Sequence, residues 1–321
     1  MNSTKIKPAQ AQRWNVYAGF AEVFNSSNAK AELRGWCCLA LVSLAIAGVF
    51  ALLVAISRVP GIENLVFFPV DFFGKGLVIH VIFSFVIWYL SVLGALSTVA
   101  VYRLGSGSPP GSGMARLALI CGYSAAIMLL ISGLLDRGEP SLNNYIPVIL
   151  DPVYYAGLVV VTMGLVLVVV RLLLSALIRV GPLEPLSLGA INASVLFLLA
   201  GLCVVLAGMQ QLNSPVDAAF FEDLFWGGGH VLQFVNIALM ITAWYLLGGL
   251  TLEMPLVRPN QINLAQVFLL AAALSAPLFY AFFDAFGLNQ TSAFTLLQYA
   301  FLPPTIFITI VGLRTWLKAS P

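Results

Sequence analysis

Charge is what this sequence has least of. Its 321 residues carry 28 charged side chains, 15 basic and 13 acidic, a share of 9% where a soluble domain carries roughly 25%. So little charge cannot cover a water-facing surface of this size, which excludes a water-soluble globular protein. Disorder is excluded by the opposite excess, because 60% of residues are apolar or aromatic. Histidine is scarcer still, with two copies, His80 and His230. The chain has no CxxC, CxxCH or HExxH motif, and so no ready-made metal set of those kinds. No basic cluster occurs in the apolar part of the chain, and nothing points to nucleic acid as a partner. Its four cysteines, Cys37, Cys38, Cys121 and Cys203, all lie in apolar runs and are expected to act as small core hydrophobes.

What is present is a series of long uncharged stretches. They run over 35–57, 76–102, 117–135, 152–170, 185–216, 224–252, 259–283 and 285–313. Each is close to or above the ~20 residues that cross a bilayer as a helix. Barrel strands would be about 10 residues long and alternate in polarity, which these stretches do not. The expected fold is therefore all-α, a polytopic helical bundle of eight spans in contact with the lipid bilayer. It divides into a polar N-terminal arm (1–34), a transmembrane domain (35–316) and a short tail (317–321).

Orientation follows from the connections. With the N-terminus inside, twelve of the fifteen basic residues fall on the cytoplasmic side, and Arg58, Lys75 and Arg137 alone fall outside. The N-in, C-in arrangement is thus expected, with a mostly acidic outer face. In the arm, Trp14, Tyr17, Phe20 and Phe24 recur at helical spacing, as on a helix lying in the inner interface or docked on a partner. The longest outer connections are DRGEPSLNNYIPVILD, residues 136–151, rich in turn formers, and MQQLNSPVDAAFFED, residues 209–223.

Ionisable groups within spans are costly in lipid and are candidate functional sites. Asp284 lies at a span end and is expected to reach water. His80 and His230 lie deeper, about 8 Å beyond Lys75 and about 10 Å beyond Asp223 along their helices. Both fall at similar depth in the outer leaflet. Imidazole is a ligand for haem iron, copper and zinc, and equally a source of one interhelical hydrogen bond. The residues themselves leave both readings open.

Three segments carry a resemblance. GKGLVIHVIFSFVIWYLSVLGAL (74–96) resembles helix II of the haem-copper oxidase catalytic subunit (subunit I), which bears a ligand of the low-spin haem. NNYIPVILDPVYYAGL (143–158) is similar to the start of helix IV in nitric-oxide-reductase-like members, and LFWGGGHVLQF (224–234) to the helix VI segment bearing a copper ligand. The resemblance implies helices I–VIII of that fold over residues 36–316, with His80 as haem ligand and His230 as copper ligand. Arg58, Lys75 and Arg137 would be the basic partners of haem propionates, and Val78, Ile79, Phe83 and Phe85 would line the ring.

The departures from the family limit what the resemblance implies. Phe234 stands where many oxidases have a tyrosine, the seventh span has no histidine, and nothing corresponds to helices IX–XII. Two histidines cannot supply the six ligands that two haems and copper take from the family's protein, so no oxygen or nitric oxide reduction by this chain alone is expected.

The outcomes left are four. One is a haem b subunit serving electron transfer or an accessory role among other membrane subunits of a larger complex. The others are a lone copper site at His230, a structural or assembly subunit with no cofactor, and a small-molecule pathway. The resemblance implies a bacterial inner membrane as location. His80 is expected to matter more than His230, which follows Gly227–Gly229, where helix packing is an equal explanation.

Overall fold

A computed structural model describes residue 23 and residues 26–62, 68, 71–105, 109–143, 146–179, 183–216, 218–252 and 254–319. The aromatic pattern at Trp14, Tyr17, Phe20 and Phe24 lies outside the described residues. Eight helices are long and apolar enough to span a membrane: α1 Ser27–Ile56, α2 Phe72–Leu104, α3 Ser112–Leu134, α4 Pro152–Leu177, α5 Pro185–Gln210, α6 Ala219–Leu252, α7 Pro259–Phe282 and α8 Leu288–Ala319. They coincide with the eight uncharged stretches. The chain is an integral membrane protein with an all-α bundle.

Several helices start where their sequence supplies a cap. The Ser26 side chain accepts from the Ala29 N–H at 3.2 Å, and Asp151 accepts from the Val153 N–H at 2.8 Å. Pro152, Pro185 and Pro259 occupy first turns, where a missing N–H costs no hydrogen bond. Six helices extend past the charges that bound the apolar stretches, and in three of them a charged side chain at or near the boundary finds partners inside the bundle. Lys75, Glu32 and Arg171 all lie within helices and are buried.

Helix α2 is the hub. It packs against α1, α3, α4, α5 and α6, while α7 joins α5 and α8, and α8 closes on α6. Every residue of α2 from Leu93 to Val101 is buried. Gly94 lies directly under the indole of Trp36, where any side chain would collide with the ring. Close approach through small residues is how helices associate in lipid, where no hydrophobic drive separates helix from solvent.

The connection over 136–151 is more than a turn. Pro140–Asn143 (β1) pairs antiparallel with Ile146–Ile149 (β2), with Pro140 opposite Ile149. Ile146, Val148 and Ile149 are buried, and the hairpin packs on the first turns of α2 and on α6. It caps the outer end of the bundle, and the Tyr154 hydroxyl donates to Pro147 O at 2.7 Å to hold it there.

The cysteines do not all serve the core. Cys203 is fully buried, but Cys37 and Cys38 are exposed. Both lie on a helix that meets its neighbours along one side only, so an apolar run around them does not imply burial. Asp284 is exposed between α7 and α8, as expected of a group that reaches water.

Candidate functional site

The N-terminal half of α2 differs from its buried C-terminal half. Phe73, Leu77, His80 and Ser84 recur at three to four residues and so share one face, and none of the four is buried. This face looks out of the bundle beside α1. Val78, Ile79 and Phe83 are all at 0% exposure and packed into the core. The sequence expectation that these three line a ring beside His80 is therefore corrected. Val78, two residues before His80, turns away from it, and Phe83 is packed into the core at the start of a π-helical segment. Only Phe85, 61% exposed, remains on the outward side.

His80 is held rather than free. Its Nδ1 lies 2.9 Å from Ala47 O on α1. A carbonyl only accepts, so Nδ1 must carry the hydrogen and donate it. In the neutral ring the lone pair then sits on Nε2, the nitrogen left for a ligand bond. A ring nitrogen anchored to a carbonyl is the arrangement that orients ligating histidines.

Just beyond His80 the helix widens. Residues Ile82–Ile87 form a π-helical segment, in which the Trp88 N–H bonds five residues back to Phe83 O. Ser84 Oγ donates to His80 O at 2.7 Å, supplying a partner for that carbonyl. Such single-turn widenings are uncommon and recur at functional sites.

The three outer basic residues have separate roles. Lys75 is 2% exposed, and its Nζ donates to Leu135 O at 2.8 Å and Arg137 O at 3.2 Å. It closes the C-terminal end of α3, whose last carbonyls lack helical partners. The Arg137 side chain pairs with Asp151 at 2.8 Å. Arg58 alone is aligned with the His80 face: its guanidinium sits 4.1 Å from the centre of the Phe73 ring. Phe73 precedes His80 by two turns, or about 10 Å.

His230 is in a different place. It is 2% exposed, its Nδ1 donates to Trp226 O at 2.7 Å within α6, and its ring packs near Trp226 (4.7 Å) and Phe294 of α8 (6.0 Å). No hydrogen bond or ring contact joins it to His80. The preceding glycines serve packing, since Gly227 lies beneath Tyr280 and Phe294, and a side chain at Gly228 would come within 2.6 Å of Val204. Among the described residues no three His, Cys, Asp or Glu side chains gather as a metal set.

Charge pairs that sequence reading did not single out lie at the opposite end. Arg171 donates to both oxygens of Glu32 at 2.6 and 3.4 Å and to Pro110 O at 2.9 Å, while the Tyr102 hydroxyl donates to Glu32 at 2.9 Å. Arg103 pairs with Glu184. Deeper in the bundle, Asn192 of α5 donates to the Gln266 side chain of α7 at 2.7 Å, and Gln266 donates to Thr242 of α6 at 3.0 Å. Glu32, Arg171, Asn192, Gln266 and Thr242 are buried and their partners satisfy them, which marks them as joints of the bundle. The signal in the sequence was their polarity within or at the ends of spans.

No family model matches the chain. It is similar to an uncharacterized protein of Aquifex aeolicus (strain VF5), 33% identical over 216 residues that cover 66% of this chain and 52% of that protein. It is also similar to the uncharacterized protein RP382 of Rickettsia prowazekii (strain Madrid E), 25% identical over 244 residues, 68% of this chain and 47% of that one. The chain spans about half the length of the curated relatives it matches.

Proposed function

We propose that this chain is a membrane subunit that binds a b-type haem on the outward face of α2, in the manner of the low-spin haem of haem-copper oxidases. It would serve electron transfer or an accessory role in a larger complex of the bacterial inner membrane. The observation that carries the reading is the fixed tautomer of His80, whose Nδ1 is tied to Ala47 O at 2.9 Å. That tie leaves Nε2 as the free donor nitrogen on an outward face.

The residues present fit one axial ligand and one propionate partner. His80 would hold the iron, Arg58 would meet a propionate, and Phe73, Leu77 and Phe85 would cover ring surface, burial of which is worth roughly 25 cal/mol per Å². Bound haem would supply one-electron chemistry. The chain's own contribution is to orient the imidazole, to leave room on the α2 face and to place one cation at its outer end. The buried His230 belongs to a separate aromatic cluster, so a second axial ligand would come from another helix or subunit packed on the same face. Lys75 and Arg137, engaged with backbone carbonyls and Asp151, have structural roles in this reading. Copper finds no donor set around His230 among the described residues.

The test is a reduced-minus-oxidised spectrum and a haem assay on the purified full chain. A b-type signal is expected in the wild type, absent in His80→Ala, weakened in Arg58→Gln and retained in His230→Ala. A wild type without a Soret band, or a signal indifferent to His80→Ala, would favour the structural-subunit reading instead.

A further inference from the structure

We infer that a cleft between α6 and α8 binds the ammonium head group of a membrane amphiphile. The cleft has a volume of about 690 Å³ and lies at the bundle end that the charge asymmetry places outside. That volume is within the ~300–1,000 Å³ usual for small-molecule sites. Two of its lining residues, Leu288 and Leu296, are 82% and 65% exposed on a helix apolar enough to cross a membrane. A ligand seated beside them meets the level of the lipid.

The chemistry of the wall selects the ligand. Glu222, 8% exposed, presents a carboxylate, whose two oxygens offer about four acceptor sites, enough for a ligand besides any protein partner. The hydroxyl hydrogens of Thr291 and Thr295 are given to backbone carbonyls, at 3.1 Å to Leu288 O and 3.0 Å to Thr291 O. Their oxygens retain lone pairs. Among the described residues no lysine or arginine lines the cleft. The wall thus offers acceptors and one negative group, which disfavours an anion and favours a cation with N–H donors.

The aromatic part of the wall agrees. Trp226 lines the cleft one turn below Glu222, and an indole beside a carboxylate is suited to an ammonium through cation–π attraction. Phe286 fixes the rim in a left-handed conformation (φ 49°) that a bulky residue rarely adopts. Its N–H donates to the Gln290 side chain at 2.9 Å, and its ring meets Trp226 edge-on at 5.9 Å. A bare metal ion would find too few donors, since no three acidic, His or Cys groups gather there among the described residues.

The chemistry is shared by an ethanolamine lipid and by a free amine, and the experiment separates them. The purified full chain is exchanged into mixed micelles with equal phosphatidylethanolamine and phosphatidylglycerol, and retained lipid is counted by native mass spectrometry. A preference of about tenfold for the ethanolamine lipid, equivalent to ~1.4 kcal/mol, is expected in the wild type. It should fall to near parity in Glu222→Gln and in Leu296→Trp, which fills the mouth from an exposed position and leaves the core intact. Free ethanolamine displacing the lipid at equal concentration, with the same dependence on Glu222, would support the ammonium site and assign it to the free amine. Equal retention of the two lipids by the wild type, or a preference unchanged in Glu222→Gln, would overturn the inference.

Discussion

At the residue scale, identity mattered less than the partner each side chain meets. Lys75 and Arg58 look alike in sequence, both being outer basic residues near His80. Lys75 is consumed by two backbone carbonyls, whereas Arg58 lies over Phe73 at 4.1 Å. The same contrast holds for Arg171, which bounds an apolar stretch in the sequence but is 4% exposed in the fold and bonded to Glu32. Removing one member of a buried pair leaves the other charge stranded, at a cost of about 3–5 kcal/mol. Arg171→Met is therefore expected to destabilise the bundle by about that amount. The double variant Glu32→Gln/Arg171→Met should recover much of the loss, and denaturant unfolding in detergent measures both. Equal stabilities for the single and double variants would mean that the stranded Glu32 carboxylate costs nothing.

At the element scale, the widened turn of α2 adds one residue just beyond His80, and Phe85 within it is exposed. A π-helical segment carries one more residue than the α-helical turn it interrupts. Deleting exposed Phe85 should let Ile82–Ile87 relax to α-helix with the two halves of α2 still in register, because the π turn holds the one residue more. The C-terminal half is clamped by burial from Leu93 to Val101, so His80 should keep its direction and its hydrogen bond to Ala47. What the deletion removes is the Phe85 ring from the outward side. The deletion variant is expected to remain folded by circular dichroism and to show a weakened or shifted form of the haem signal proposed for the wild type. A folded deletion variant with an unaltered spectrum would separate the π segment from the cofactor face.

At the scale of the whole molecule, the outermost helices are partly clothed. Only 28% of the most apolar window of α1 and 17% of that of α8 are buried within the chain, against 56% for α5. Lipid or neighbouring subunits must cover the rest. The crossing pattern is even-numbered, so both ends of the described bundle lie on one side, and the basic asymmetry makes that side cytoplasmic. A reporter fused after Pro321 is expected to be active only in the cytoplasm. Activity confined to the outside would reverse the orientation, and with it the outer placement of His80 and of the ammonium cleft.

The sequence by itself determined the eight spans and their order. Lipid requires every backbone group to be bonded within its own segment, so each apolar stretch had to become a helix whatever its neighbours. That requirement is local and can be read residue by residue. It also brought out the two histidines, since an ionisable group in a span is conspicuous. Only the tertiary structure decided which way they face. Val78, Ile79 and Phe83 are as apolar as Leu77 and Phe85, and hydropathy cannot say which of them meets a neighbouring helix. The pairing of Glu32 with Arg171, 139 residues apart, the hairpin over α2 and the cleft between α6 and α8 were equally hidden. Each depends on distances between helices remote in sequence, which are set by close packing around residues such as Gly94 and not by any local pattern.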